Sequence, residues 1–217
     1  MYNVGLVTII IIAANVLVSF KGFNDRLFFE KFKFNIGAIR RGEQVRMVSS
    51  GFLHADTTHL LFNMITLYFF ADVVLQGLGN FNFILIYLGS LIVGNLLSFF
   101  FHKDEYWYSA IGASGAVTGI LYAAILIRPE MSLYLFFIPI PIPGYIFGVA
   151  YLLYSIYGMK SRSGNIGHDA HFGGAVGGYF LTLVMKPQIL ETHLTYALLL
   201  AVPIVVLYFL HKTGKLS

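Results

Sequence analysis

Two polar residues in glycine-rich segments of a mostly apolar chain could together perform nucleophilic catalysis. Ser114 lies in the segment GASG, and His171 lies in the segment HDAHFGGAVGG. A serine hydroxyl becomes an effective nucleophile when an adjacent base removes its proton, and histidine suits that role near neutral pH. A serine at the start of a helix also commonly caps the helix, and Ser114 stands where a helix is expected to begin. The catalytic and the structural interpretation are compatible.

A second polar pair could stabilise the negative charge that such catalysis creates. His59 and Asn63 are four residues apart at the start of an apolar segment, so they share one face of a helix. Two donors on one face can bind an oxygen that becomes negatively charged in a tetrahedral intermediate. The alternative is a polar seam through which one helix hydrogen-bonds to another.

Glycine spacing predicts how the serine and the histidine would meet. Gly115 and Gly119 follow the serine, and Gly174 and Gly178 follow the histidine at the same spacing of four. Small residues four apart allow two helix backbones to approach closely. Close packing of these two helices would bring the hydroxyl and the imidazole together, although this glycine spacing alone most often indicates packing only.

The remaining polar residues do not predict a metal site. The chain has no cysteine, which excludes thiolate ligands and a disulfide framework. His168 and Asp169 stand beside His171, but the chain lacks an H-E-x-x-H helix and a regularly spaced ligand set. We therefore expect no metal and no cofactor.

The elements that position these residues must lie in a membrane. Hydrophobic residues make up 58% of the chain and charged residues 11%, and the mean hydropathy is +0.77. Such a balance excludes an ordinary soluble domain. The formal net charge of +4 is modest, and the basic residues concentrate between Lys21 and Arg46. This cluster favours the anionic headgroups of a lipid bilayer, and nothing in it indicates binding to nucleic acid.

Apolar segments near the ~20 residues needed to cross a bilayer predict seven membrane-spanning helices within one domain, residues 1–217. The connection over residues 21–57 is rich in aromatic residues and is expected to lie partly in the interface. The run IPIPIPG predicts a linker, with a helix that starts after Pro143. The predicted spans are approximately 4–20, 58–76, 80–101, 113–128, 144–158, 169–185 and 194–211.

Three motifs follow one another along the chain: VRMVSSGFLHADTTHLLFNM, GASGAVTG and AHFGGAVGG. In these motifs and their order, the chain shows a resemblance to the rhomboid family of intramembrane serine proteases. The resemblance covers residues 4–185 and implies an all-α membrane fold with a six-helix rhomboid core, to which segment 194–211 adds a C-terminal transmembrane helix. It also implies a serine endopeptidase of the cell membrane. Such an enzyme hydrolyses a peptide bond in or next to the transmembrane helix of a single-span substrate and uses a Ser-His dyad.

The resemblance assigns a role to each matching residue. It makes Ser114 the nucleophile and His171 the general base, and it places the oxyanion at His59, Asn63 and the Ser114 backbone amide. Structural residues are expected near the site at His54, Arg46, Gly112, Gly115, Gly174 and Gly178.

Three positions depart from the family pattern. Val45 replaces the tryptophan of a Trp-Arg pair, so anchoring of the first connection is expected to weaken. Thr118 replaces a residue that is often aromatic and stacks on the catalytic histidine, so the orientation of His171 must come from another residue. The family commonly has an acidic residue at the end of the second span. That position falls near Leu75 in this chain, and Gln76 is the nearest polar substitute.

Two other functions remain open. A catalytically silent rhomboid-like protein could bind transmembrane clients without cutting them, although both dyad residues are present. A transporter or channel could use buried histidines, although the sequence contains no inverted repeat.

Two arguments predict opposite orientations in the membrane. The positive-inside rule assigns the first connection to the cytoplasm, whereas the resemblance implies that this connection and the active site face outward. We adopt the second, because charge counting carries less weight in a partly embedded segment.

Overall fold

A computed structural model describes residues 5–135, 138–161 and 166–216. The described chain is mostly helical and includes several apolar helices, so the predicted all-α membrane fold is confirmed. Residue 4, where the first span was predicted to begin, lies outside the described residues. The helices are α1 (Leu6–Asn24), α2 (Arg26–Phe32), α3 (Ile36–Arg40), α4 (Arg46–Ser49), α5 (Thr57–His102), α6 (Ser114–Ile127), α7 (Gly144–Ser161), α8 (His168–Met185), α9 (Ile189–Thr192) and α10 (Leu194–Lys212), with a 3₁₀ turn at Ser50–Phe52.

Helix α5 contains two of the predicted spans. Its 46 residues continue through Gly79, whose φ of 78° and ψ of 172° interrupt the helical backbone. Glycine adopts this conformation at little cost because it lacks a Cβ atom. The break falls between the spans predicted at 58–76 and 80–101. Each of the other predicted spans matches one helix within a few residues, whereas the number of membrane crossings stays a prediction.

Helix α6 is short and lies at the centre of the protein. Its 14 residues extend for only about 21 Å, less than the ~30 Å of a bilayer core. Every residue from Gly115 to Leu126 is buried. By contrast, α1, α5 and α10 are long and apolar enough to cross a membrane. A helix as short as α6 must begin or end within the apolar layer, which allows its first residue to lie below the membrane surface.

The glycine pairs of α6 and α8 pack against each other, as the sequence predicted. A Cβ atom added to Gly174 would overlap the backbone of Gly115, and one added to Gly178 would overlap the backbone of Gly119. The two helices therefore approach at backbone distance. Helix α5 packs on both of them and completes the core of the molecule.

Two short pairs of antiparallel strands lie between the helices. Strand β1 (Phe34–Asn35) pairs with β2 (Ser109–Ala110) and joins the first connection to the segment that leads into α6. Strand β3 (Ser132–Leu135) pairs with β4 (Ile138–Pro143), so the Ile-Pro run that precedes α7 is extended, and its pairing as a strand was not predicted. Proline cannot donate a backbone hydrogen bond and is therefore found on edge strands, which fits a two-stranded pair. Helix α7 begins at Gly144, as predicted.

Candidate active site

A partly open cavity of about 920 Å³ lies beside the start of α6. The residues predicted to act in catalysis all line it: Ser114, His171, His59 and Asn63. Gly112 and Gly115 line it as well. Among the described residues, His54, Arg46, Gly174 and Gly178 are not part of the lining. The fold thus brings together side chains from the first half of α5, from α6 and from α8.

Ser114 is the first residue of α6 and does not cap it. The N-cap position is Ala113, and no side-chain hydrogen bond caps this end within the described structure. The first amides of a helix have no partner inside the helix, so the backbone N–H of Ser114 is a candidate donor beside its own hydroxyl. A Cβ atom added to Gly115 would lie 3.2 Å from the carbonyl oxygen of Ala170, the residue before His171. The backbone segments that carry Ser114 and His171 are therefore adjacent.

Gly112 brings the ring of His59 close to the serine hydroxyl. Its φ of 120° lies in the left-handed region that glycine tolerates. A Cβ atom at this position would lie 2.9 Å from His59 Nε2 and 3.7 Å from Ser114 Oγ. A side chain at residue 112 would therefore displace the imidazole, so both the backbone conformation and the space require glycine.

The hydrogen bonds of His59 determine which ring nitrogen holds its proton. The backbone N–H of Ala55 donates to His59 Nδ1 over 3.5 Å. Because a backbone amide can only donate, Nδ1 is unprotonated, and the neutral ring carries its proton on Nε2. This nitrogen is the one beside Gly112. Asn63 donates one amide hydrogen to the His59 carbonyl oxygen at 3.2 Å and has a second amide hydrogen for another acceptor.

His54 is fully buried beneath the site and connects three segments. Its Nε2 accepts from the backbone N–H of Ala113 at 3.4 Å, so its proton lies on Nδ1, which is 2.8 Å from Ser19 Oγ. Ser19 in turn donates to the carbonyl oxygen of Phe52 at 3.0 Å. Burial lowers the pKa of His54 to about 3, and the nearby His59 ring contributes to the shift. His54 is therefore neutral at neutral pH.

His171 is in contact with a tyrosine that the sequence analysis did not identify. Its Nδ1 lies 3.0 Å from the hydroxyl of Tyr151 on α7. The two rings are nearly parallel, at 22° with 6.2 Å between centroids. Thr118 indicated that another residue must orient the histidine, but it did not indicate which one. Helix α7 contains four tyrosines, and spacing alone does not show which of them faces α8.

Arg46 holds the first connection together without the usual tryptophan partner. Its guanidinium pairs with Glu43 at 2.7 Å and donates to the carbonyl oxygens of Glu30 and Lys33 at 2.8 and 2.9 Å. Arg46 is 8% exposed, whereas Val45, at the position of the missing tryptophan, is 59% exposed. The arginine therefore ties α4 to the end of α2 through backbone and carboxylate contacts.

A second polar cluster fixes the start of α8. His102 Nε2 lies 3.4 Å from a carboxylate oxygen of Asp169, and the His102 ring stacks on Tyr108 with 3.6 Å between centroids. Tyr108 donates its hydroxyl to the same carboxylate at 3.4 Å. The sequence analysis assigned no special role to His102. Its contacts anchor the helical turn that carries His171.

Comparison with known proteins identifies the family. The family model described as "Rhomboid domain" matches residues 41–188, more than half of the chain. The chain belongs to the rhomboid family. The resemblance derived from the three sequence motifs is therefore confirmed, and this rhomboid is a multi-pass membrane protein.

Several curated proteins are similar to this rhomboid. RHOMBOID-like protein 12, mitochondrial, of Arabidopsis thaliana is 28% identical over 77% of the chain and 54% of its own length. Rhomboid protein 1, mitochondrial, of Saccharomyces cerevisiae is 30% identical over 62% of the chain and 40% of its own length. Rhomboid protease GluP of Bacillus subtilis is 31% identical over 65% of the chain and 26% of its own length. The chain thus spans about half or less of the length of these relatives.

Proposed function

We propose that this rhomboid is an intramembrane serine endopeptidase that hydrolyses a peptide bond in or next to the transmembrane helix of single-span membrane proteins. One observation carries the proposal. A hydroxyl, an imidazole and two further polar donors, from three different helical segments, line a single cavity. Rhomboid family proteins act on transmembrane substrates, and one relative is named a rhomboid protease.

The proposed mechanism is acyl transfer to water. His171 takes the proton of Ser114 as the hydroxyl attacks the scissile carbonyl carbon, and the imidazolium then protonates the leaving amine. Because Tyr151 contacts Nδ1, the nitrogen that serves Ser114 is Nε2. Water then hydrolyses the acyl-enzyme with the histidine again acting as base.

The oxyanion would bind at His59 Nε2, the Asn63 amide and the Ser114 backbone N–H. Each of these groups can donate a hydrogen bond, and the proton of His59 lies on Nε2 because Nδ1 accepts from Ala55. Donors that are already in position stabilise the developing charge without reorganisation.

The cavity suits an extended peptide and water. Its volume of about 920 Å³ lies at the upper end of ligand pockets, which are roughly 300 to 1,000 Å³. Its wall includes Asp56, Asn95 and Ser109 as further polar residues. A substrate helix must unwind there to expose the carbonyl group, and glycines 112 and 115 leave room for its backbone.

We place this activity in the cell membrane. GluP comes from a bacterium, which has no mitochondria, whereas the two other relatives are named as mitochondrial. Fractionation of source cells, with the protein detected by an antibody, tests this: recovery with plasma-membrane markers supports the assignment, and recovery with mitochondrial markers overturns it.

A serine-reactive fluorophosphonate probe tests the activity itself. The purified protein is expected to react at Ser114, and Ser114→Ala and His171→Ala should each abolish labelling. Ser132→Ala removes an exposed serine of β3 and serves as the matched control, with labelling unchanged. A folded wild-type protein that does not react and does not cleave a transmembrane reporter would instead support the client-binding alternative.

A further inference from the structure

A chain of three hydrogen bonds connects His171 back to the residue that bears the proposed nucleophile. His171 Nδ1 lies 3.0 Å from the Tyr151 hydroxyl, which lies 3.5 Å from Thr118 Oγ1. Thr118 Oγ1 lies 2.7 Å from the backbone carbonyl oxygen of Ser114. This series of hydrogen bonds therefore begins at His171 and ends at Ser114, the two residues of the proposed dyad.

The Ser114 carbonyl oxygen, at one end of these three hydrogen bonds, determines which atom donates in each of them. A carbonyl oxygen can only accept, so Thr118 donates its hydroxyl hydrogen to Ser114. Thr118 Oγ1 can then only accept from Tyr151, which uses the single hydrogen of the tyrosine hydroxyl. Tyr151 Oη is left as an acceptor, and the group that can donate to it is His171 Nδ1–H.

We propose that Thr118 and Tyr151 are positioning residues that hold neutral His171 in the tautomer with its proton on Nδ1. This inference rests on the proposed function, since only that tautomer leaves Nε2 free to take the proton of Ser114. A threonine in place of an aromatic residue is then compensated by a tyrosine from another helix. The threonine supplies the acceptor that orients the tyrosine hydroxyl.

The location of Tyr151 makes these hydrogen bonds depend on the position of α7. The tyrosine lies on α7, whereas Thr118 and His171 lie on α6 and α8, which pack at backbone distance. A displacement of α7 would therefore break the chain of hydrogen bonds while the two central helices stay in place. The tautomer of His171 depends on the position of α7.

Thr118→Val and Tyr151→Phe should both lower kcat, for different reasons. Valine keeps the shape of threonine but removes the acceptor, so the Tyr151 hydroxyl turns to donate to His171 Nδ1 and stabilises the wrong tautomer. We expect kcat to fall by about tenfold or more, with KM nearly unchanged. Phenylalanine removes both roles of the hydroxyl, so the two tautomers mix, and kcat should fall by about 2- to 10-fold.

The double variant separates this account from a loss of packing. Adding Tyr151→Phe to Thr118→Val removes the misdirected hydroxyl, so the double variant should be more active than Thr118→Val alone. Two independent packing defects would make the losses add. Thr118→Ser retains the acceptor and should keep near wild-type kcat. Tyr157→Phe, an exposed tyrosine on the same helix, is the matched control and should leave kcat unchanged.

The proton position is read directly by ¹⁵N NMR of the histidine-labelled protein, with the His171 signals identified by their loss in His171→Gln. In the wild type at neutral pH, Nδ1 should carry the proton, and in Thr118→Val the proton should move to Nε2. If an active wild type has its proton on Nε2, or if the double variant is no more active than Thr118→Val, the inference fails and the protease proposal stands. If the wild type neither cleaves nor labels, the protease proposal fails, and the NMR signals still report whether the tautomer is fixed.

Discussion

At the scale of single residues, backbone amides determine which ring nitrogen is protonated in His59 and in His54. The amide of Ala55 leaves the proton of His59 on Nε2, and the amide of Ala113 leaves the proton of His54 on Nδ1. A backbone amide is held rigidly by the fold, so these tautomers do not depend on mobile side chains. In the proposed mechanism, the oxyanion donor at His59 Nε2 would thus carry its proton before a substrate binds.

Asn63→Ala tests the oxyanion site. Loss of one such donor typically costs ~2.7 to 4 kcal/mol of transition-state stabilisation, so turnover of a transmembrane reporter should fall by about 100- to 1,000-fold, while fluorophosphonate labelling of Ser114 persists in part. Asn82→Ala is the matched control, because Asn82 lies on the same helix and makes the same type of bond, to the carbonyl oxygen of the residue four positions before it. Equal turnover in the two variants would remove Asn63 from the mechanism.

At the scale of helices, the contact between α6 and α8 brings Ser114 and His171, the proposed dyad, to one cavity. The contact depends on backbone approach at Gly174, because a methyl group added there would overlap the backbone of Gly115. Backbone atoms cannot move aside as the end of a flexible side chain can. The distance between the two helices is therefore sensitive to one residue that does not line the cavity.

Gly174→Ala should push α6 and α8 apart. We expect a thermal unfolding temperature in detergent that is lower by several degrees, because overpacking costs about 1 to 3 kcal/mol. Labelling of Ser114 should also be lost, because the separation of the two helices would move His171 away from the serine. Gly148→Ala is the control, because its added Cβ atom meets the flexible end of Leu200 at 2.6 Å. A Gly174→Ala protein as stable and reactive as Gly148→Ala would contradict the helix packing described above.

At the scale of the whole molecule, α1 is joined to the core through a buried neutral histidine. His54 contacts Ser19 of α1 and the backbone of Ala113, which precedes α6. Protonation in the folded protein is disfavoured down to the lowered pKa of about 3, whereas the unfolded chain takes up the proton near the ordinary value of 6.5. Between these values the unfolded state binds more protons, so stability falls as the pH falls.

His54→Gln should therefore have a flatter pH profile of stability than the wild type. At pH 5 the wild type should have lost about 2 kcal/mol of its free energy of unfolding through this group, relative to pH 7, and the variant should lack this loss. Equilibrium unfolding in detergent at several pH values measures both. Parallel profiles between pH 6.5 and pH 3 would mean that His54 is not held neutral by burial.

Some of these features follow from the sequence, and others depend on three-dimensional contacts. The glycine pairs of α6 and α8 and the break at Gly79 were predictable, because small residues and backbone breaks act through the backbone itself. The polar residues of the cavity were identified because polar side chains are costly in lipid without a partner. The strand β4 was missed because a proline run predicts extended backbone but not its pairing partner. Tyr151 was missed because rotation of α7 about its axis is set by packing.

The central claim is that Ser114 is a nucleophile activated by His171. Peptide mapping by mass spectrometry after fluorophosphonate treatment tests it most directly, with wild type, His171→Ala and Ser132→Ala compared. We predict an adduct on the peptide that contains Ser114 in the wild type and in Ser132→Ala, and its absence in His171→Ala. An adduct on a different serine, or equal modification of Ser114 with and without His171, would contradict the dyad.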